Sequence, residues 1–231
     1  RKHDCVVGTV VGFKGARDAV GKSHWWGYPD LPLDMDIPTF IDPNDGNEYA
    51  LSFLCQINLA DLHDAMLDAA YDTGDQSYKQ YDLPKSGLLL FFADIAYYGG
   101  MWDEPAIGSY LSDNNVVRVV YVPEEDMASL ICRQEEYADE ELPAQPIDVC
   151  AHLPKGEGLP EHKLLGTPDH REWEDWDQPC TGWQLLLQMD SCEEDGYAFN
   201  FIDCGVLNLI ISPEALKRHD FSNVRGIVLS T

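Results

Sequence analysis

Two stretches of the chain limit its fold more than any others: Leu51–Leu62, LSFLCQINLADL, and Trp183–Ser191, WQLLLQMDS. Each is an apolar run of strand length, and each carries amides or a carboxylate that a plain core strand would lack. Side chains on a strand alternate between faces. Ser52, Leu54, Gln56 and Asn58 are therefore expected on one face, with Phe53, Cys55 and Ile57 on the other. In the later stretch Gln184, Leu186, Gln188 and Asp190 share one face, and Leu185, Leu187 and Met189 the other. The same polar order in both places points to two like β units.

The intervening chain supplies the remaining elements. VVGTVVGF (6–13) reads as a strand; KSHWWGYPDLPLDMDIP (22–38) holds three prolines and Gly27, which exclude regular helix and favour an extended surface crossing. DPNDGNE (42–48) has the residues of a tight turn. Asn58 is placed to cap a helix, along which Leu59, Leu62, Met66 and Ala70 fall near helical spacing. Leu83–Asp94 contains a turn and an apolar run suited to a strand covered on both faces. Residues 96–115 read as a long irregular connection into the strand VVRVVYV (116–122). A short helix within 124–132, an acidic, mobile surface segment at 134–146 and an extended piece at 147–154 follow. A strand over 206–212, a helix begun by Ser212-Pro213-Glu214 and a closing strand over 224–229 complete the order.

The halves can be matched piece by piece. Gly27-Tyr28-Pro29 corresponds to Gly166-Thr167-Pro168, Ser52–Asn58 to Gln184–Asp190, and Gly87-Leu88-Leu89 to Gly205-Val206-Leu207, always in the same order. The expectation is a mainly β protein, α+β by content: a roll-like single domain of two fused, degenerate β-rich repeats with a few short helices. The halves span approximately 23–122 and 160–231.

Composition narrows the partners. With 41 acidic against 15 basic residues the net charge is -26, a field that repels phosphate backbones and anionic membranes and favours a basic protein or a cation. No apolar run is long enough to span a bilayer, and the N-terminus lacks a signal-peptide pattern. Seven cysteines occur with no pair at zinc-ribbon or redox spacing, so the expected compartment is reducing and cytoplasmic.

Candidate chemistry is sparse. Gln56 with Asn58, and Gln188 with Asp190, each project from one strand face. They either converge near a pseudo-two-fold axis to bind a small polar ligand or peptide backbone, or hydrogen-bond loop backbones and lock the fold, the reading favoured here. Asp94 and Asp203 flank corresponding strands and form a conceivable acid/base pair, although aspartate at a strand end is ordinary. The acidic stretch 30–48 fails EF-hand spacing, the histidines lack metal-pair spacing, and no nucleophile-elbow, P-loop or dinucleotide motif is present. No catalytic residue, metal ligand or cofactor is assigned. Trp25, Trp26, Trp173 and Trp176 lie in Pro-rich and acidic loops, either as a recognition surface or as loop anchors closing the core.

The ordered set GYPDLP (Gly27–Pro32), FLCQINLADL (Phe53–Leu62), LPKSGLLLFFAD (Leu83–Asp94), HKLLGTP (His162–Pro168), WQLLLQMDS (Trp183–Ser191), DCG (Asp203–Gly205) and DFSNV (Asp220–Val224) resembles the YwqG-like family of bacterial proteins of unknown function. The resemblance implies a mainly β roll with a few helices and no particular activity. Members are similar to proteins encoded near toxin and secretion genes, which implies an immunity or interaction role. The sequence departs from the family pattern at Trp26-Gly27, where Gly-Gly is usual, and at Phe201-Ile202, where Trp-Gly is usual. The expected function is therefore a non-catalytic binding module that recognises a basic protein, such as a toxin, through acidic loops at 134–142 and 172–177. The alternative is an enzyme or small-ligand binder using a cleft between the halves, with Gln56, Gln188 and Asp203 as its polar groups.

Overall fold

The computed structural model describes residues 5–9, 19–100, 104–134, 142–151, 162–166, 168, 180–194 and 197–230, with backbone alone for 5–9, 192–194 and 197–198. Its strands are β1 (Cys5–Thr9), β2 (His24–Trp25), β3 (Asp30–Pro32), β4 (Thr39–Ile41), β5 (Glu48–Ala50), β6 (Ser52–Asn58), β7 (Leu88–Ala93), β8 (Val117–Val122), β9 (Leu130–Cys132), β10 (Gln145–Cys150), β11 (Lys163–Leu164), β12 (Gln184–Asp190), β13 (Cys192–Glu194), β14 (Tyr197–Phe199), β15 (Val206–Ile211) and β16 (Arg225–Leu229). Helix α1 (Leu59–Thr73) follows β6 and the short α2 (Pro213–Lys217) follows β15. The protein is mainly β.

Ten strands form one sheet in the order β16-β15-β12-β11-β1-β10-β2-β6-β7-β8. The order is a palindrome: a short strand and three longer ones on each side of a central pair. At the centre the halves exchange strands. β1 precedes β2 in the chain but pairs with β11, while β10 precedes β11 but pairs with β2. β1 and β10 then pair with each other, Val7 opposite Val149.

The correspondence extends to register. His24 faces Gln56 as Lys163 faces Gln188, and Gln56 faces Leu90 as Gln188 faces Asn208. Both β6 and β12 carry a β-bulge, at Phe53/Cys55 and at Leu185/Leu187. A bulge adds one residue and frees a carbonyl from the ladder. Leu54 O accordingly accepts from Trp26 N at 2.9 Å, and Leu186 O from Leu165 N at 3.1 Å. Trp26 and Leu165, each followed by a glycine, take left-handed backbone with φ of 55° and 58°.

The bulges also correct the simple alternation. Leu54 and Leu186 turn to the face of Cys55, Ile57, Leu187 and Met189, not to that of Gln56 and Gln188. Phe53 packs with Leu90 on the Gln56 side. An extra residue reverses side-chain parity upstream of it.

Two apolar clusters result. The larger unites the inner faces of both halves, Leu54, Ile57, Leu89 and Phe91 with Leu187, Met189, Leu207 and Leu209, under the buried side of α1. The smaller covers the outer face of the first half with Leu31, Phe40, Leu51 and Leu130, strapped by Arg133, which donates to Pro32 O and Met35 O at 2.9 and 2.7 Å. α1 forms where its cap predicts: Asn58 Oδ1 accepts from Ala60 N and Asp61 N, and Gly74 ends the helix at φ 73°.

The irregular connection 96–115 has a definite task. Val228 N donates to Gly108 O at 2.8 Å, Ser112 N donates to Gly226 O at 2.9 Å, and Gly226 N donates to Ser112 Oγ at 2.9 Å. These bonds cover the outer edge of β16, which would otherwise offer unpaired backbone groups. A Cβ at Gly226 would lie 2.8 Å from Ile107 Cγ2, so glycine permits this approach. No helix among the described residues is long and apolar enough to cross a membrane.

Candidate functional site

Gln56 is fully buried, and both ends of its amide are engaged. Its Nε2 donates to Lys22 O at 2.8 Å and to the Asp30 carboxylate at 2.6 Å, while its Oε1 accepts from Asp30 N at 2.9 Å. Asp30 Oδ2 also accepts from Gly21 N at 2.8 Å. One residue pair along the strand, Asn58 donates through Nδ2 to Gly21 O at 2.8 Å while its Oδ1 caps α1. Gln56 and Asn58 thus fasten the Pro-rich crossing to β6, as buried polar groups must when water is excluded.

The second half repeats part of this scheme with different residues. Asn58 N donates to Ser23 Oγ at 2.8 Å; at the matching place Asp190 N donates to His162 Nδ1 at 3.0 Å. His162 packs at a tilt against Trp25, with centroids 4.7 Å apart. Burial drives its pKa down to about 4, so it is neutral near pH 7, with Nδ1 the acceptor and the proton on Nε2. Lys163, Gln188 and Asn208 form a buried cross-strand row. Asn208 Oδ1 and the nearby Arg225 Nε are buried with no hydrogen-bond partner among the described residues. The leucine at the Asn208 position of the first half, Leu90, raises no such question.

The two polar pairs do not converge. Between β6 and β12 lie β2, β10, β1 and β11, so Gln56 and Gln188 are about 24 Å apart along the sheet at ~4.8 Å per strand. Both lie on the faces turned away from the shared core, and the interface between the halves is packed with apolar side chains. Asp203 is exposed, inside a turn where Ile202, Asp203 and Cys204 take left-handed φ of 40°, 47° and 60°. Asp94 follows β7 whereas Asp203 precedes β15, so the supposed acid/base pair sits at opposite ends of matching strands. Asp94 is buried, and desolvation, together with the carboxylate of Asp42, holds its carboxyl above the usual range.

Trp25 and Trp26 are not a recognition surface: both are buried, at 1% and 4% exposure. Trp26 packs on Phe199 at 5.0 Å, and Phe199 on Phe201 at 4.9 Å. Trp26 and Phe201, the two places where the sequence departs from the pattern it resembles, therefore meet in one cluster of tilted aromatic rings inside the core. Trp173 and Trp176 lie outside the described residues. So do the acidic stretches at 134–142 and 172–177, apart from Gln134 and Leu142, and with them most of the segment expected to be mobile. Among the described residues no three His, Cys, Asp or Glu side chains are grouped to hold a metal.

Helix α1 turns a charged face outward. Asp64, Asp68 and Asp72 are exposed beside Tyr71 and Leu67, which are 88% and 36% exposed. The lone basic contact along this helix is Lys22 Nζ to Asp61 Oδ2, at 3.6 Å among the described residues.

Fold and site define a pseudo-two-fold β roll whose strand amides build the fold. The chain belongs to the family of the domain of unknown function DUF1963, whose model matches residues 23–157 and again residues 135–228. The matches overlap across the segment that carries the exchanged strand β10 (Gln145–Cys150). No curated protein matches the chain.

Proposed function

We propose that the protein is a non-catalytic interaction module that recognises a basic protein partner. The observation that carries this reading is the charge: a surplus of 26 acidic groups, while the polar side chains Gln56 and Asn58 are consumed by internal hydrogen bonds. Such a surface attracts cationic partners at long range and orients their encounter. The YwqG-like resemblance fits the same reading, with a toxin as the partner and an immunity-like role, in a cytoplasmic setting. The expected domain organisation is a single one, because each half borrows its central strand from the other.

The test is a pull-down with the purified chain, followed by a measured affinity for each protein retained, at about 50 and 150 mM salt, where the screening length falls to about 8 Å. Retention of a basic partner whose affinity falls with salt is expected. Absence of a partner, or an affinity indifferent to ionic strength, would overturn the proposal.

A further inference from the structure

We propose that the outward face of helix α1 is the docking surface for that partner, and that it receives a basic amphipathic segment: Lys or Arg side chains flanking an apolar one. This inference rests on the basic-partner reading above and assigns it a place.

The inner face of α1 is fixed by the fold. Leu59, Leu62, Met66, Ala69 and Ala70 are buried under the sheet, but nothing in that packing dictates what points outward. The outward face holds Asp61, Asp64, Asp68 and Asp72, at intervals of three, four and four residues, which places neighbours above one another on a helix. Like charges at this spacing repel. Aspartate is also a poor interior helix residue, and the last turn, where the helix dipole favours cations, has no basic side chain. Asp64, Asp68 and Asp72 make no hydrogen bond or ion pair among the described residues. Beyond Asp61, which lies in the first turn and pairs with Lys22, the composition of this face therefore works against the helix that carries it.

Two apolar side chains stand among these carboxylates. Tyr71 stands 88% exposed three residues beyond Asp68, and Leu67, 36% exposed, lies one turn before it. An outward aromatic with an aliphatic neighbour, ringed by charge, has the make-up of an interface anchor. The helix also has no counterpart in the second half, where β12 runs directly into the β13–β14 hairpin. Charge complementarity selects the occupant: Asp64, Asp68 and Asp72 match cations, and Tyr71 with Leu67 matches the apolar side chain between them. A second copy of the chain brings the same acidic face and is repelled.

The experiment uses the whole chain and two labelled peptides of equal charge, one amphipathic with lysines around leucines at helical spacing, the other lysine and glycine only. Fluorescence anisotropy is read at two salt concentrations, with circular dichroism confirming each variant's fold. The amphipathic peptide is expected to bind more tightly than the other. Tyr71→Ala should weaken it by about 10-fold, and Asp64→Asn/Asp68→Asn should weaken it and flatten the salt dependence. Asp34→Asn/Asp36→Asn, in the exposed crossing on the other face of the sheet, should change affinity less than about 2-fold. Equal losses from both aspartate pairs, or no effect of Tyr71→Ala, would overturn the α1 site while leaving the basic-partner reading standing. Salt-independent binding, or none of either peptide, would remove both. Self-association abolished by Tyr71→Ala would assign the face to a second copy and overturn the proposal.

Discussion

Gln56 and Asn208 belong to the equivalent cross-strand row of the two halves, yet the physics of replacing them differs in sign. Gln56→Leu would strand Asp30 N, Lys22 O and one contact of the Asp30 carboxylate in the interior. A loss of about 2–4 kcal/mol is expected, read as a lower urea midpoint with an unchanged slope. Asn208 spends one weak bond, Nδ2 to Val206 O at 3.3 Å, and leaves Oδ1 without a partner among the described residues. Asn208→Leu copies Leu90 of the first half and should stabilise by about 1–2 kcal/mol; an equal or lower midpoint would count against an unsatisfied Oδ1. His162 adds a pH dependence. Its unfolded imidazole takes up a proton as pH falls through 6.5, while the folded one stays neutral down to about 4. Its contribution is thus complete above pH 6.5 and drains away toward pH 4, by roughly 3 kcal/mol. His162→Asn keeps an acceptor for Asp190 N and removes the titration. The wild-type chain should lose more stability than this variant between pH 7 and 5; the raised carboxyl of Asp94, relieved by acid, acts alike in both.

At the scale of elements, local signals were readable and relational ones were not. Asn58 as the cap of α1 and Ser212-Pro213 as the start of α2 rest on contacts within a few residues, so the sequence shows them directly. The bulges at Phe53/Cys55 and Leu185/Leu187 follow from pairing with β7 and β15, and no composition signal announces them. The segment 107–112 looked irregular because its regularity is borrowed from β16, more than a hundred residues away. Gly226→Val tests that closure. The new side chain would enter the space of Ile107, with an expected cost of about 2–3 kcal/mol and faster hydrogen exchange at Val228 N, whose acceptor is Gly108 O. Unchanged exchange there would mean that the edge is not held by this segment.

For the whole molecule, strand exchange is the decisive feature. Without β10 the edge of β2 is open, and without β1 that of β11, so neither half carries a complete sheet. Heat or denaturant should therefore unfold the chain in one transition, with far-ultraviolet dichroism and tryptophan fluorescence coincident. Two separated transitions would show that the halves are independent. The net charge of -26 acts at this scale too: mutual repulsion lowers the stability of the compact state, and added salt should raise the midpoint by screening it.

By itself the sequence determined the mainly β class, the repeat of Ser52–Asn58 in Gln184–Asp190, the helix caps and the surplus of acid, because each depends on residue type and short spacing. It also pointed to Gln56 as a group that must find backbone partners. The tertiary structure alone decided that Trp25 and Trp26 are buried, that His162 answers Asp190, that the polar pairs stand apart, and that β1 and β10 change places. Those outcomes depend on which strands become neighbours. That choice is set by how both halves bury one common core, a long-range balance that no local pattern encodes.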